Sequence, residues 1–173
     1  MPLTRIKSLG ITDGTIVNAD INASAAIVST KLSGVANTPA FSAYQSSTQS
    51  VSTGTNTKIL FQTEVFDTDN NFDSSRFTPT VAGKYLLTVG LRMSSGNTEY
   101  IIYIAKNGLA SGSFTLVDAD FANNYGMSGS AIVVANGTTD YFEGYCYQGS
   151  GTSKTTSADA GQTFFQGFKL IGV

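Results

Sequence analysis

Six apolar residues, Ile6, Ile11, Ile16, Ile21, Ile27 and Leu32, recur at steps of 5, 5, 5, 6 and 5. Neither regular backbone form accommodates that period. On an α-helix a five-residue step turns each anchor by about 140°, so the anchors spread around the axis. On a β-strand an odd step sends successive anchors to opposite faces. The residues between them, among them Thr12, Asp13, Gly14, Asn18, Asp20, Asn22, Ser24 and Ser29, are polar or turn-forming. A segment with one anchor in five cannot bury those anchors against itself. Residues 1–38 are therefore expected to be extended, mostly irregular, and packed on copies of themselves or on a larger assembly.

A boundary falls near residues 34–39, and residues 39–173 read as one domain with its own core. Only 13% of the chain is charged, about half the usual share. Glycine is abundant at 18, Tyr and Phe number 8 and 11, and there is no Trp or His. Such a composition fits an all-β protein with many turns and hydroxyl-rich outer faces. Net charge is −2 with no run of Lys or Arg, which removes the electrostatic footprint of nucleic-acid binding. No apolar run is long enough to span a membrane, and no signal peptide is visible. Cys146 stands alone between Tyr145 and Tyr147, so no disulfide forms within the chain, which suits assembly in a reducing cytosol. It reads as a small buried residue.

From residue 58 onward, apolar alternation and turn signals predict strands over 58–66, 84–93, 99–106, 113–117, 127–135, 140–148 and 163–171. Asn107–Gly108 and Asn136–Gly137 mark turns. Strands at roughly ten-residue spacing without a convincing helix predict a β-sandwich, specifically a jelly roll. The hydroxyl- and amide-rich stretches 43–57 and 149–162 read as long solvent-facing loops suited to adaptable surface recognition.

The chain offers little for catalysis. Without histidine there is no Ser-His-Asp or Cys-His arrangement and no His-containing metal site. The carboxylate pairs Asp118/Asp120 and Glu99/Glu143 are the remaining candidates for acid–base chemistry, and as loop acids and sheet-face residues they need not converge. No enzyme activity and no cofactor are expected. Asp67, Asp69, Asn71 and Asp73 place oxygen ligands at alternating positions, as a calcium loop does. The loop lacks the glycine at its sixth position and the glutamate at its twelfth, where Phe72 and Thr78 stand. The competing reading is an Asx-rich turn bonded to its own backbone.

Ala40-Phe41-Ser42-Ala43, then Phe66-Asp67, Asn71-Phe72-Asp73 and Arg76-Phe77-Thr78-Pro79, resemble in that order the opening strand and the following stretch of the C1q/tumour-necrosis-factor-like family of trimeric jelly rolls. Pro79, Gly83 and Tyr85 fit the P-x-x-G-x-Y signature, Lys106-Asn107-Gly108 the mid-domain hairpin, and Phe165-Gln166-Gly167-Phe168-Lys169-Leu170 the closing strand. Asn136-Gly137-Thr138-Thr139-Asp140-Tyr141 matches the remaining L-x-x-G-D-x-V element in part. The resemblance implies a homotrimer with aromatic residues along its axis; Tyr85, Tyr103, Tyr145, Tyr147, Phe165 and Phe168 are the expected interface. The chain has no G-X-Y repeat, unlike the collagen-stalked animal members.

Ile11-Thr12-Asp13-Gly14-Thr15-Ile16 and Asp20-Ile21-Asn22-Ala23 resemble segments at the start of tailed-bacteriophage fibre and appendage proteins. That resemblance implies a virion structural protein, assembled in the host bacterial cytoplasm. The Ile ladder would attach it to other virion proteins, and a trimeric tip would contact a host surface glycan or protein. The alternative is a capsid decoration or head-fibre protein that binds and stabilises the shell.

Overall fold

Strong alternation builds the C-terminal part. In the computed structural model Tyr85, Leu87, Val89 and Leu91 of one long strand point inward and are buried, while Lys84, Leu86 and Thr88 point outward. The structure describes residues 36–94, 99–112, 114–120 and 126–172, together with Ile21, Asn22, Ala25 and Ile27. The chain divides into two compact units, Met1–Val35 and Ala36–Val173. In the first, Ile21 and Ile27 are exposed, and the Ala25 and Ile27 N–H groups donate to the carbonyls of Asn22 and Ala25. The ladder positions Ile6, Ile11, Ile16 and Leu32 lie outside the described residues.

The second unit is a β-sandwich. Its strands are β1 (Ala40–Tyr44), β2 (Ser50–Val51), β3 (Thr57–Lys58), β4 (Thr63–Asp67), β5 (Phe72–Asp73), β6 (Arg76–Phe77) and β7 (Gly83–Arg92). They continue as β8 (Tyr100–Lys106), β9 (Phe114–Asp120), β10 (Gly126–Ala135), β11 (Phe142–Gln148), β12 (Lys154–Thr155) and β13 (Phe164–Lys169). Sheet I runs β10-β7-β13-β1-β4, and sheet II runs β5-β6-β11-β8-β9 with β3 also on β11. The described pairings are all antiparallel. Among the described residues the helical content is one 3-10 turn, Leu109–Ser111, following Asn107 and Gly108 in positive φ.

Between the sheets, aromatic rings pack tightly. Phe41 stacks on Phe77 and Phe72 with centroids 4.3 and 4.9 Å apart and meets Phe165 edge-on at 5.0 Å. Phe77 in turn meets Tyr85 at 5.6 Å, and the Tyr85 hydroxyl donates to the Val81 carbonyl at 2.6 Å. That bond explains why a tyrosine suits this buried position. Gly167 faces the same interior as Phe165; a Cβ there would stand 2.4 Å from Leu87 Cδ2 and 2.8 Å from the Leu86 carbonyl oxygen.

Two sequence expectations are corrected here. The predicted strand over 58–66 is two strands in different sheets: β3 pairs with β11 and β4 with β1. Ile59 and Phe61, both buried, plug the core where the chain crosses over, so the apolar run reflects a crossing and not one ladder. The stretches 43–57 and 149–162 are not simply solvent-facing loops. They are joined through β2 and β12 and through buried amides: Gln45 Nε2 donates to Leu60 O at 3.0 Å and Gln148 Nε2 to Val51 O at 3.0 Å. Thr156 Oγ1 bonds Gln45 Oε1, and both residues are buried. Glutamine amides carry a donor and an acceptor like the backbone, so a polar composition conceals a packed junction.

Candidate functional site

On the outer surface of sheet II, Glu143 of β11 gathers groups from three other places in the sequence. Lys58 Nζ on β3 lies 2.7 Å and Arg76 Nε on β6 lies 2.9 Å from Glu143 Oε1. The Tyr145 hydroxyl donates to Glu143 Oε2 at 2.9 Å. The Glu143 residue is only 2% exposed. Burial pushes its carboxyl upward, but the hydrogen bonds from Lys58, Arg76 and Tyr145 outweigh that and hold it below the usual glutamate range. Burial first, and then the carboxylate it bonds, push Tyr145 up to about 12.

Lys58 is further fixed by donating to the Ser74 carbonyl at 2.9 Å. Arg76 sits over the Tyr141 ring, its central carbon 3.9 Å from the ring centroid. With Nε committed to Glu143, its two terminal amino groups have no protein acceptor among the described residues. These groups border a cleft of about 490 Å³ lined also by Lys58, Asn70, Asn71, Asp73 and Thr80. The β5–β6 hairpin forms one wall. Asp73 and Arg76 pair across it, and Ser74 and Ser75 make the reversal with φ of 51° and 60°. The buried Ser75 hydroxyl accepts the Phe61 N–H at 2.8 Å, which ties the hairpin to the sandwich.

The outer face of sheet I has a different character. One cross-strand row runs Ile132, Leu86, Phe168, Ala40 from β10 to β1, and Phe66 on β4 pairs with Ser42 in the next row. Ile132, Val134 and Phe66 are 65%, 60% and 49% exposed. An apolar groove lies between Phe66, Phe168, Leu86 and Gly167.

These placements divide the expected interface residues. Tyr85 and Phe165 are fully buried inside the sandwich and unavailable to a neighbour, so their assignment to a trimer axis is corrected. Their strands alternate, and they fall on the inward side of the alternation. Tyr103, Tyr145 and Tyr147 lie on the outer face of sheet II, with Tyr103 directly opposite Tyr145. Phe168 alone of the six lies on the outer face of sheet I. Leu86, Ile132, Val134 and Phe66 were missed. The available signal was the run Ala131-Ile132-Val133-Val134-Ala135, apolar on both alternating sides, as a strand covered on both faces reads.

The calcium candidates are not gathered round one centre. Asp67 accepts the backbone N–H groups of Phe72 at 2.7 Å and Asp69 at 3.3 Å, and Asp69 bonds the Thr68 hydroxyl. Asn71 Oδ1 accepts the Thr80 N–H at 2.8 Å, and Asp73 accepts the Ser74 hydroxyl. Among the described residues no three His, Cys, Asp or Glu side chains are grouped to hold a metal. Local backbone donors win because they are already in place at an Asx turn.

The carboxylate pair Glu99/Glu143 is also separated. Glu143 pairs with Ala105 on β8, whereas Glu99 precedes the Tyr100 that starts that strand. Six residues of strand span roughly 20 Å, about twice the widest separation glycoside hydrolysis uses. Asp118 and Asp120 lie on β9, paired with Ile102 and Tyr100. Cys146 is buried, and burial pushes its thiol up to about 12.

No protein-family model matches the chain, and a search of curated proteins finds no match. Solved structures do resemble it. The globular domain of zebrafish complement 1qA protein matches at 17% identity and TM-score 0.56, covering 76% of this chain and 96% of that one. Murine APRIL at pH 8.0 matches at 13% identity and TM-score 0.58, covering 76% and 98%. The Eiger TNF of S. frugiperda matches at 9% identity and TM-score 0.51, covering 76% and 91%. At these identities the likeness is one of fold, and the second unit is a C1q/TNF-like jelly roll.

Proposed function

We propose that this chain is a non-enzymatic structural protein of a tailed-bacteriophage virion, a homotrimeric fibre or spike. Its N-terminal Ile ladder attaches to other virion proteins and its jelly-roll tip contacts the host cell surface. The observation that carries the reading is the outward apolar row of sheet I, with Ile132 exposed and Leu86 and Phe168 half-buried, flanked by the exposed Phe66 and Val134. Exposed apolar side chains grouped on one sheet face support an association site. Ile132 and Val134 stand on the edge strand β10, while Phe66 stands on the opposite edge strand β4. Patches at opposite edges of one sheet meet head to tail, and such contacts close into a ring when the rotation allows. The ladder complements this, since anchors spaced by five are buried only by a neighbour. A head-fibre or capsid-decoration protein shares the same trimer and attachment segment and is the second reading.

Light scattering after size-exclusion chromatography of the full chain tests the assembly. A trimer is expected at micromolar concentration, dissociating in Ile132→Asp; a stable wild-type monomer overturns it. Immunogold labelling of purified particles places the chain on tail or head, and absence from the particle refutes the virion role. Excess purified protein is expected to block adsorption if the tip contacts the host, and unaltered adsorption removes that part of the reading.

A further inference from the structure

We infer that the cleft beside Glu143 binds an anionic saccharide, a polyhydroxylated unit carrying one carboxylate or phosphate. This rests on the reading of the tip as a host-contacting surface and names the ligand class of one site on it. The argument starts from Arg76. A long flexible cation on a protein surface ordinarily loses much side-chain entropy when a ligand orders it. Here that ordering is already present, because Tyr141 supports the guanidinium at 3.9 Å and Glu143 holds Nε at 2.9 Å. What remains is the outer fork of terminal N–H donors, which matches two oxygens of a carboxylate or phosphate.

The charges around it select where an anion can sit. Lys58 and Arg76 are the cations, and the buried Glu143 carboxylate is shared between them. Asp73 is the acid that lines the cleft, and among the described residues it forms no ion pair with Arg76. The site is therefore polarised: positive at the Arg76 fork and acceptor-rich toward Asp73, with the amide of Asn70 and the hydroxyl of Thr80 also on its lining. A sugar with one acidic group suits that gradient, its anion on the fork and its hydroxyls donating to Asp73. A polyanion poor in hydroxyl groups does not suit it, because it brings negative charge to the Asp73 carboxylate with no donor to bond it. The cleft, at about 490 Å³, is within the range of small-ligand sites.

The test is binding of the purified full chain to four immobilised polymers: polygalacturonate, a glycerol-phosphate polymer, neutral dextran and single-stranded oligothymidylate. Binding to polygalacturonate identifies a carboxylate ligand and binding to the glycerol-phosphate polymer a phosphate ligand. Either supports the inference when dextran and oligothymidylate bind at least tenfold more weakly. Arg76→Gln is expected to weaken that binding roughly tenfold or more. Asp73→Asn leaves the Glu143 cluster untouched and is expected to narrow the preference over oligothymidylate roughly two- to fivefold. No binding to either anionic polymer, equal binding to dextran or oligothymidylate, or an affinity and preference unmoved by both substitutions overturns the inference. Adsorption separates this from the broader reading. Polymer binding without adsorption block keeps the cleft and removes host contact, whereas block by wild type and Arg76→Gln alike, without polymer binding, removes the cleft and keeps host contact.

Discussion

Replacing Glu143 by glutamine preserves the side chain's shape and removes its charge, leaving Lys58 and Arg76 facing a neutral amide. Breaking a fully buried ion pair costs about 3–5 kcal/mol. Here the Lys58 and Arg76 side chains keep 26% and 43% of their exposure, so water recovers part of their solvation. The expected cost is about 2 kcal/mol, below the buried-pair range and above that of an exposed pair. For a protein of this size that lowers Tm by roughly 4–8 °C at pH 7. The folded-state pKa of Glu143 lies below its ordinary value of 4.5. Its contribution is therefore complete above that value and disappears as pH falls through the lower, folded value. At that point the native side chain is itself protonated and resembles the glutamine. Thermal unfolding followed by circular dichroism from pH 7 to pH 3 measures the gap between the two proteins. A gap that narrows toward zero in acid is expected; no gap at pH 7, or one of the same size at pH 3, refutes the reasoning.

Gly167→Ala pushes a methyl group to 2.4 Å from Leu87 Cδ2 and 2.8 Å from a backbone oxygen, so it is expected to cost about 3 kcal/mol in a denaturant titration. Gly126→Ala, with nothing within 4 Å of the added carbon, is expected to leave the midpoint unchanged. Because Asp67, Asp69, Asn71 and Asp73 are spent on local donors, calcium and EDTA are expected to give the same Tm; a rise of several degrees with calcium sinks that account. With its thiol pushed up to about 12 and buried, Cys146 is expected to resist a disulfide reagent at pH 8 and to react once guanidinium unfolds the chain. Prompt stoichiometric labelling of the native protein contradicts its placement.

Strand positions were legible because apolar alternation is a local property. The predicted 84–93, 99–106, 127–135 and 163–171 spans lie within three residues of the observed β7, β8, β10 and β13. The C1q/TNF-like fold was legible from the order of Pro79, Gly83, Tyr85 and the Phe165-Gln166-Gly167 closing strand. Tyr85 and Gly167 have a hydrogen-bonding and a steric reason now visible, in the Tyr85–Val81 bond and the Gly167–Leu87 contact. The crossing at Ile59 and Phe61 was not legible, since a strand and a core-plugging crossover both read as an apolar run. The Gln45–Thr156 junction was hidden for the opposite reason, being polar in composition yet buried.

The candidate surfaces show the same division. Arg76, Lys58 and Glu143 are far apart along the chain and no motif links them; strand pairing alone brings β3, β6 and β11 side by side. The resemblance named six aromatic residues for an interface, but it carried no information on which way each side chain points. By itself the sequence determined the long strands and the absence of histidine chemistry, because periodicity and residue type decide these locally. Tertiary structure alone decided that Tyr85 and Phe165 fill the core, that Tyr103, Tyr145 and Tyr147 face away from the Ile132–Phe168 row, and that Glu143 collects its cations. Each depends on which strands become neighbours and which side of a sheet is covered, and those are set by long-range packing.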